Sequence, residues 1–156
     1  MEQIRALFVC HGNICRSPMA EFLFRDAAKK EGVEVYAESA ATSAEELGNP
    51  VHHGTRRVLT KLGIDPSGKT ARRITKDDYN NFDYIIGMDS ANLRNMQRIF
   101  GGDPDKKLSL ILDFTENPRD VADPWYTGDF EAALADITCG VNGLIKEIKK
   151  NLKILD

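Results

Sequence analysis

I-R-A-L-F-V-C-H-G-N-I-C-R-S-P-M-A-E, from Ile4 to Glu21, decides the architecture. Ile4 to Val9 is a short apolar run of the kind that forms a buried strand. Pro18 to Glu31 reads as a helix, proline being accepted in a first turn because an N–H there has no helical partner. A tight loop joins the two. Strand, loop and helix in this order form the opening of a parallel-sheet unit.

The same alternation continues outward. Val33 to Ser39 predicts a strand with Val33, Val35 and Ala37 on one face. His52 to Leu62 predicts a helix that stops at Gly63, and Tyr84 to Met88 a central strand. Asp89 is a candidate cap for a helix from Ser90 to Phe100, which the Gly101-Gly102 pair would end. Lys107 to Leu112 is a weaker strand candidate. The last helix, from about Asp129 to Leu152, carries Phe130, Leu134, Ile137, Val141, Leu144, Ile148 and Leu152 as one apolar stripe. Cys139 falls on its opposite face. The expectation is an α/β fold, one domain over residues 1–156, with helices on both faces of a parallel sheet. Such sheets bind ligands where strands end and loops lead into helices. The first loop of this kind starts at Cys10.

Composition narrows the function. The 156 residues are 42% hydrophobic and 29% charged, with a formal net charge of −3. A mildly acidic chain argues against general nucleic-acid binding, which needs a basic surface. No stretch approaches the roughly 20 apolar residues of a membrane span, and Ala6 to Val9 is too short for a signal-peptide core. Cys10, Cys15 and Cys139 form neither a disulfide framework nor, with three histidines, a zinc set, so no metal or other cofactor is expected. A reducing, cytoplasmic setting is the expectation.

The loop itself has the parts of an oxyanion site. Its backbone N–H groups can form an anion-binding nest, and Gly12 and Asn13 are residue types that tolerate left-handed angles. The following helix aims its positive end at the same point. Arg16 supplies a planar fork that fits two phosphate oxygens. This field favours the thiolate of Cys10, the nucleophilic form. Ser17 could donate a hydrogen bond to that sulfur. The nucleotide-binding patterns G-x-x-x-x-G-K-[ST] and G-x-G-x-x-G are both absent.

V-C-H-G-N-I-C-R-S-P-M-A-E (Val9 to Glu21) resembles the signature of the low-molecular-weight protein tyrosine phosphatases. The resemblance continues through T-A-R-R-I-T-K-D-D-Y-N-N-F-D-Y-I-I-G-M-D-S-A-N-L-R (Thr70 to Arg94) and A-D-P-W-Y (Ala122 to Tyr126). It implies a four-stranded parallel sheet and hydrolysis of protein phosphotyrosine through a phosphocysteine. Cys10 would be the nucleophile, Arg16 the phosphate clamp and Asp123 the acid and then the base. His11, Gly12, Asn13, Ile14, Cys15 and Ser17 would form the phosphate loop, which would also accept inorganic phosphate or other oxyanions. Trp125 and Tyr126 would wall the cleft, and Asn13 and Ser39 would brace the loop. Cys15 could form a reversible disulfide with Cys10.

Local readings stand beside these. Asp123-Pro124 can simply start a turn, Trp125 can cap the core, Cys15 can be a small buried residue, and Ser39 can be an ordinary strand-end serine. His11 replaces the leucine or isoleucine usual in the tyrosine phosphatases, as a rim contact or a solvent-facing residue. Glu45 falls near a position where many members carry an aromatic cleft wall, and a carboxylate there would weaken binding of acidic phosphopeptides. The related arginine phosphatases and arsenate reductases remain to be separated. The latter need a cysteine relay, and the chain has no cysteine between Cys15 and Cys139.

Overall fold

The apolar run near the start forms β1 (Ile4–Cys10), whose alternation sets both faces of the sheet. Ala6, Phe8 and Cys10 join one buried cluster, Leu7 and Val9 the other. The computed structural model describes residues 3–153, so the outermost ends of the expected domain (1–2 and 154–156) lie outside the described residues.

After β1 come α1 (Arg16–Lys30), β2 (Val35–Ala41), α2 (His53–Lys61), α3 (Asp78–Asn81) and β3 (Tyr84–Gly87). Then follow α4 (Ser90–Phe100), β4 (Leu108–Leu110), a 3-10 turn (Ile111–Phe114), α5 (Pro124–Thr127) and α6 (Phe130–Lys153). All four strands are parallel, in the order β2-β1-β3-β4. This is the α/β architecture expected from the sequence. The chain leaves β1 toward β2 on one side and comes back to β3 on the other. That reversal makes the carboxyl end of β1 the topological switch point, where diverging loops open a crevice. Cys10 is the last residue of β1 and stands at that point.

One face of the sheet is covered by α1, α2 and α6. Phe8 meets Phe24 of α1 with ring centroids 5.3 Å apart, and Ile137, Val141, Leu144 and Ile148 of α6 lie in the same cluster. Met96 of α4, with Tyr79 and Phe82, covers the other face. Each fully buried Phe, Leu, Ile or Met contributes about 1.5–3 kcal/mol relative to an exposed one. The stripe anticipated on the last helix is the buried face of α6, with Cys139 exposed opposite it. Two glycines of α6 let the 3-10 turn lie directly on the helix backbone. A Cβ at Gly143 would overlap the Phe114 carbonyl oxygen, and one at Gly140 would sit 2.5 Å from Ile111 Cγ1.

Several boundaries differ from expectation. The second strand runs from Val35 to Ala41 rather than from Val33 to Ser39. Val33 is used to close α1, its N–H donating to Ala28 O at 2.9 Å after Gly32 turns left-handed. The strand expected over Lys107 to Leu112 keeps only Leu108–Leu110. Asp113 accepts the Leu110 N–H at 2.8 Å, and the chain winds into the 3-10 turn. The four-residue helices α3 and α5 were not anticipated, because neither completes a periodic pattern.

Candidate active site

The loop from Cys10 to Arg16 passes directly from β1 into α1. Asn13 takes the left-handed conformation at φ 59°. Gly12 does not, contrary to expectation, and its small size serves packing. A Cβ there would lie 3.3 Å from Glu46 Cγ. Ile14, Cys15 and Arg16 are buried. Among the described residues, the N–H groups of Gly12, Ile14 and Cys15 have no acceptor. Gly12, Ile14 and Cys15 line one cavity beside the N-terminus of α1, where N–H groups free of other partners suit an anion.

Cys10 is 3% exposed, and its sulfur has two donors. The Asn13 N–H reaches Sγ at 3.3 Å and Ser17 Oγ lies 3.0 Å away. The direction of the serine bond follows from its neighbours. Arg72 N–H donates to Asn13 Oδ1 at 3.1 Å, which fixes the amide orientation. Asn13 Nδ2 therefore donates to Ser17 Oγ at 2.8 Å. Ser17 accepts from Asn13 and has its own proton free for the sulfur.

Arg16 is 2% exposed. Its Nη1 donates to Asp89 Oδ2 and to Val121 O, both at 2.8 Å. Its Nη2 approaches Asp123 Oδ2 at 3.4 Å. Burial opposes the guanidinium charge, but Cys10, Asp123 and Asp89 outweigh it and raise the pKa above the ordinary arginine value. With Nη1 committed, the Nε–Nη2 edge is left for a ligand's oxygens. Cys15 behaves differently from Cys10. Burial first, then the charges of Cys10 and Asp123, push its thiol up to about 12, with Arg16 acting in the opposite sense. It is a neutral thiol at physiological pH, with its carbonyl tied to Thr55 Oγ1 at 3.1 Å.

Asp123 caps α5, its Oδ1 accepting the Trp125 N–H at 3.0 Å. The Asp-Pro turn and a carboxylate facing Arg16 are thus one structure. Trp125 and Tyr126 are 55% and 82% exposed, so neither caps the core, and both line a cavity of about 110 Å³ over Cys10. His11 also lines it, its Nε2 lying 2.8 Å from Glu45 Oε2. Ser39 is the exception among the sequence-derived residues. Its hydroxyl donates to Glu21 Oε1 at 2.5 Å, on α1, and it makes no side-chain bond to the loop. The brace comes from Arg72 instead. Its side chain is clamped by Glu38 at 3.1 Å and Asp78 at 3.0 Å, which holds the residue in place while its backbone N–H donates to Asn13 Oδ1.

Sequence reasoning missed Asp89, Val121 O, Arg72 and His52. From sequence Asp89 reads only as a helix cap, and it is one, accepting the Asn92 N–H at 2.9 Å with its other oxygen. His52 N–H donates to Ile14 O at 2.9 Å. Its ring stacks on Phe130 (5.1 Å, 12°) and meets Trp125 edge-on at 5.5 Å. Burial, His53 and Arg56 lower its pKa, and Nδ1 accepts the Gly54 N–H at 3.0 Å. None of these pairings leaves a local signature in the chain.

Known proteins share this arrangement of elements. A family model described as low molecular weight phosphotyrosine protein phosphatase matches residues 5–154. The low molecular weight protein-tyrosine-phosphatase YfkJ of Bacillus subtilis is 41% identical over 155 residues, covering 97% of this chain and 99% of the relative. A low molecular weight phosphotyrosine protein phosphatase of Schizosaccharomyces pombe is 41% identical over 132 residues, covering 81% and 84%. The crystal structure of YfkJ superposes with a TM-score of 0.93, covering 97% of this chain and 98% of that one. That of SP-PTP from Streptococcus pyogenes gives 0.84 at 40% identity, covering 97% and 98%.

Proposed function

Because the chain belongs to the low molecular weight phosphotyrosine protein phosphatase family, we propose that its phosphate loop carries the two-step hydrolysis of phosphotyrosine on proteins. The phosphate dianion enters the loop, where the unpaired N–H groups and the free edge of Arg16 hold its oxygens. Cys10 Sγ attacks phosphorus, the P–O bond to the tyrosine ring breaks, and Asp123 gives its proton to the departing phenolate. A phenol of pKa about 10 leaves poorly as its anion, and a placed acid typically contributes 10²–10⁴-fold. In the second step Asp123 takes a proton from water, the water oxygen bonds to phosphorus, and the P–S bond breaks. Ser17 O–H stabilises the sulfur as it leaves, and inorganic phosphate is released.

The observation that carries the reading is the placement of Cys10 at the switch point, with Ser17 at 3.0 Å from its sulfur and Arg16 buried beside Asp123. Trp125 and Tyr126 at the mouth favour an aromatic substrate ring, through stacking worth about 0.5–1.5 kcal/mol beyond burial. No helix among the described residues is long and apolar enough to cross a membrane. We place the enzyme in the reducing cytoplasm, which suits its free cysteines, with phosphoprotein substrates. Matched peptides carrying phosphotyrosine, phosphoarginine or phosphoserine test the substrate class. Release of phosphate from the tyrosine peptide alone supports it, and preference for phosphoarginine overturns it.

A further inference from the structure

The two walls of the cavity mouth differ in character. Ile14, Trp125 and Tyr126 are apolar or aromatic, whereas Glu45 and Glu46 are carboxylates. The cationic side chains lining the cavity are Arg16, reserved for the phosphate, and His11 when protonated. Glu46 is occupied, accepting from Asn49 Nδ2 at 3.0 Å and packing over Gly12. Glu45 is 71% exposed along its side chain and stands at the rim.

Glu45 is held there. Ser43 N–H and Ser43 Oγ both donate to His11 O, at 3.1 and 2.9 Å, which ties the rim turn to the phosphate loop. The Glu45 N–H points at Ser43 Oγ at 3.4 Å, and Glu45 Oε2 meets His11 Nε2 at 2.8 Å. Among the described residues nothing donates to Glu45 Oε1. The carboxylate is therefore pinned on one oxygen and open on the other, beside the opening through which a substrate chain must pass.

We infer that Glu45, positioned by His11, selects phosphotyrosine segments that carry Lys or Arg next to the phosphotyrosine and disfavours those that carry Glu or Asp. A flanking ammonium or guanidinium would donate to the open oxygen. A flanking carboxylate would meet Glu45 and Glu46 at close range. An exposed pair of this kind gives up to about fivefold in preference, and the effect falls with salt. The inference rests on the tyrosine-phosphatase reading of the site.

The test compares two phosphotyrosine peptides, with Lys or Glu on both sides of the phosphotyrosine, in the wild type, Glu45→Gln and Glu45→Lys. The quantity read is the ratio of kcat/KM for the two peptides within each protein, so a general loss of activity cancels. The expected ratio is up to about fivefold in favour of Lys for the wild type at low salt. It falls toward one in Glu45→Gln and inverts in Glu45→Lys. A wild-type ratio of one, or a Lys preference that survives in Glu45→Lys, overturns the inference while leaving the phosphatase reading intact. Failure of the wild type to hydrolyse even phenyl phosphate overturns that reading, and the inference with it.

Discussion

Arg16 Nη2 lies 3.4 Å from Asp123 Oδ2, so the group that grips the phosphate touches the group assigned to protonate the leaving oxygen. A phosphate ester held on the free edge of Arg16 therefore brings its bridging oxygen within reach of Asp123. Pro124 and the cap to Trp125 N–H keep that carboxylate from swinging away. Asp123→Ala should lower kcat on phenyl phosphate by about 10²–10⁴-fold and by much less on esters of more acidic phenols. The check is a series of aryl phosphates graded in leaving-group acidity. Equal losses across the series would remove Asp123 from proton transfer.

Ser17 acts on the other half of the cycle. Its proton is directed at Cys10 Sγ because Asn13 Nδ2 already fills one of its acceptor positions. Ser17→Ala should slow phosphoenzyme hydrolysis by about 10- to 100-fold, the worth of a hydrogen bond to a charged group. Formation of the phosphoenzyme should change less. Rapid-mixing kinetics with p-nitrophenyl phosphate read both steps, as a burst followed by slow turnover. Loss confined to the burst phase would contradict the assignment.

His52 gives the fold a defined acid sensitivity. Its folded pKa is below the ordinary value of about 6.5, chiefly through burial. The unfolded chain therefore takes up its proton first as pH falls. The stability from neutral His52 is complete above about pH 6.5 and is lost as pH drops through the lower folded value. Protonation puts a hydrogen on Nδ1, where it opposes the Gly54 N–H it had accepted. The expected loss is about 1 kcal/mol, the worth of a helix cap. Urea unfolding at pH 7.5 and pH 5 should show a larger drop for the wild type than for His52→Asn, which caps without titrating there. Equal drops would exclude His52.

The strand, loop and following helix were legible because most residues there obey a local rule, Gly12 with its packing against Glu46 being set apart. An apolar run makes β1, Asn13 supplies a left-handed angle, and proline fits the first turn of α1. The apolar stripe of α6 and the Asp89 cap of α4 were readable for the same reason. What escaped depends on contacts between distant parts of the chain. Asp89 meets Arg16 across 73 positions, and Arg72 meets Asn13 across 59. Ser39 shows the converse, since its strand position was near expectation but its hydroxyl turns to Glu21 on α1. Only the packing of α1 against β2 decides that direction. His11 and Glu45 were each noticed alone, and their pairing needed the fold of the 43–45 turn.

In the proposed cycle every phosphoryl group passes through one sulfur, Cys10 Sγ. Asp123→Ala slows removal of that group, so the variant should accumulate the intermediate when mixed with p-nitrophenyl phosphate and quenched in acid. Peptide mass mapping of the quenched protein is the direct measurement. The expected result is one phosphoryl group on Cys10, absent when Cys10→Ser is added. A phosphoryl group on another residue, or continued turnover by the protein lacking Cys10, would contradict it.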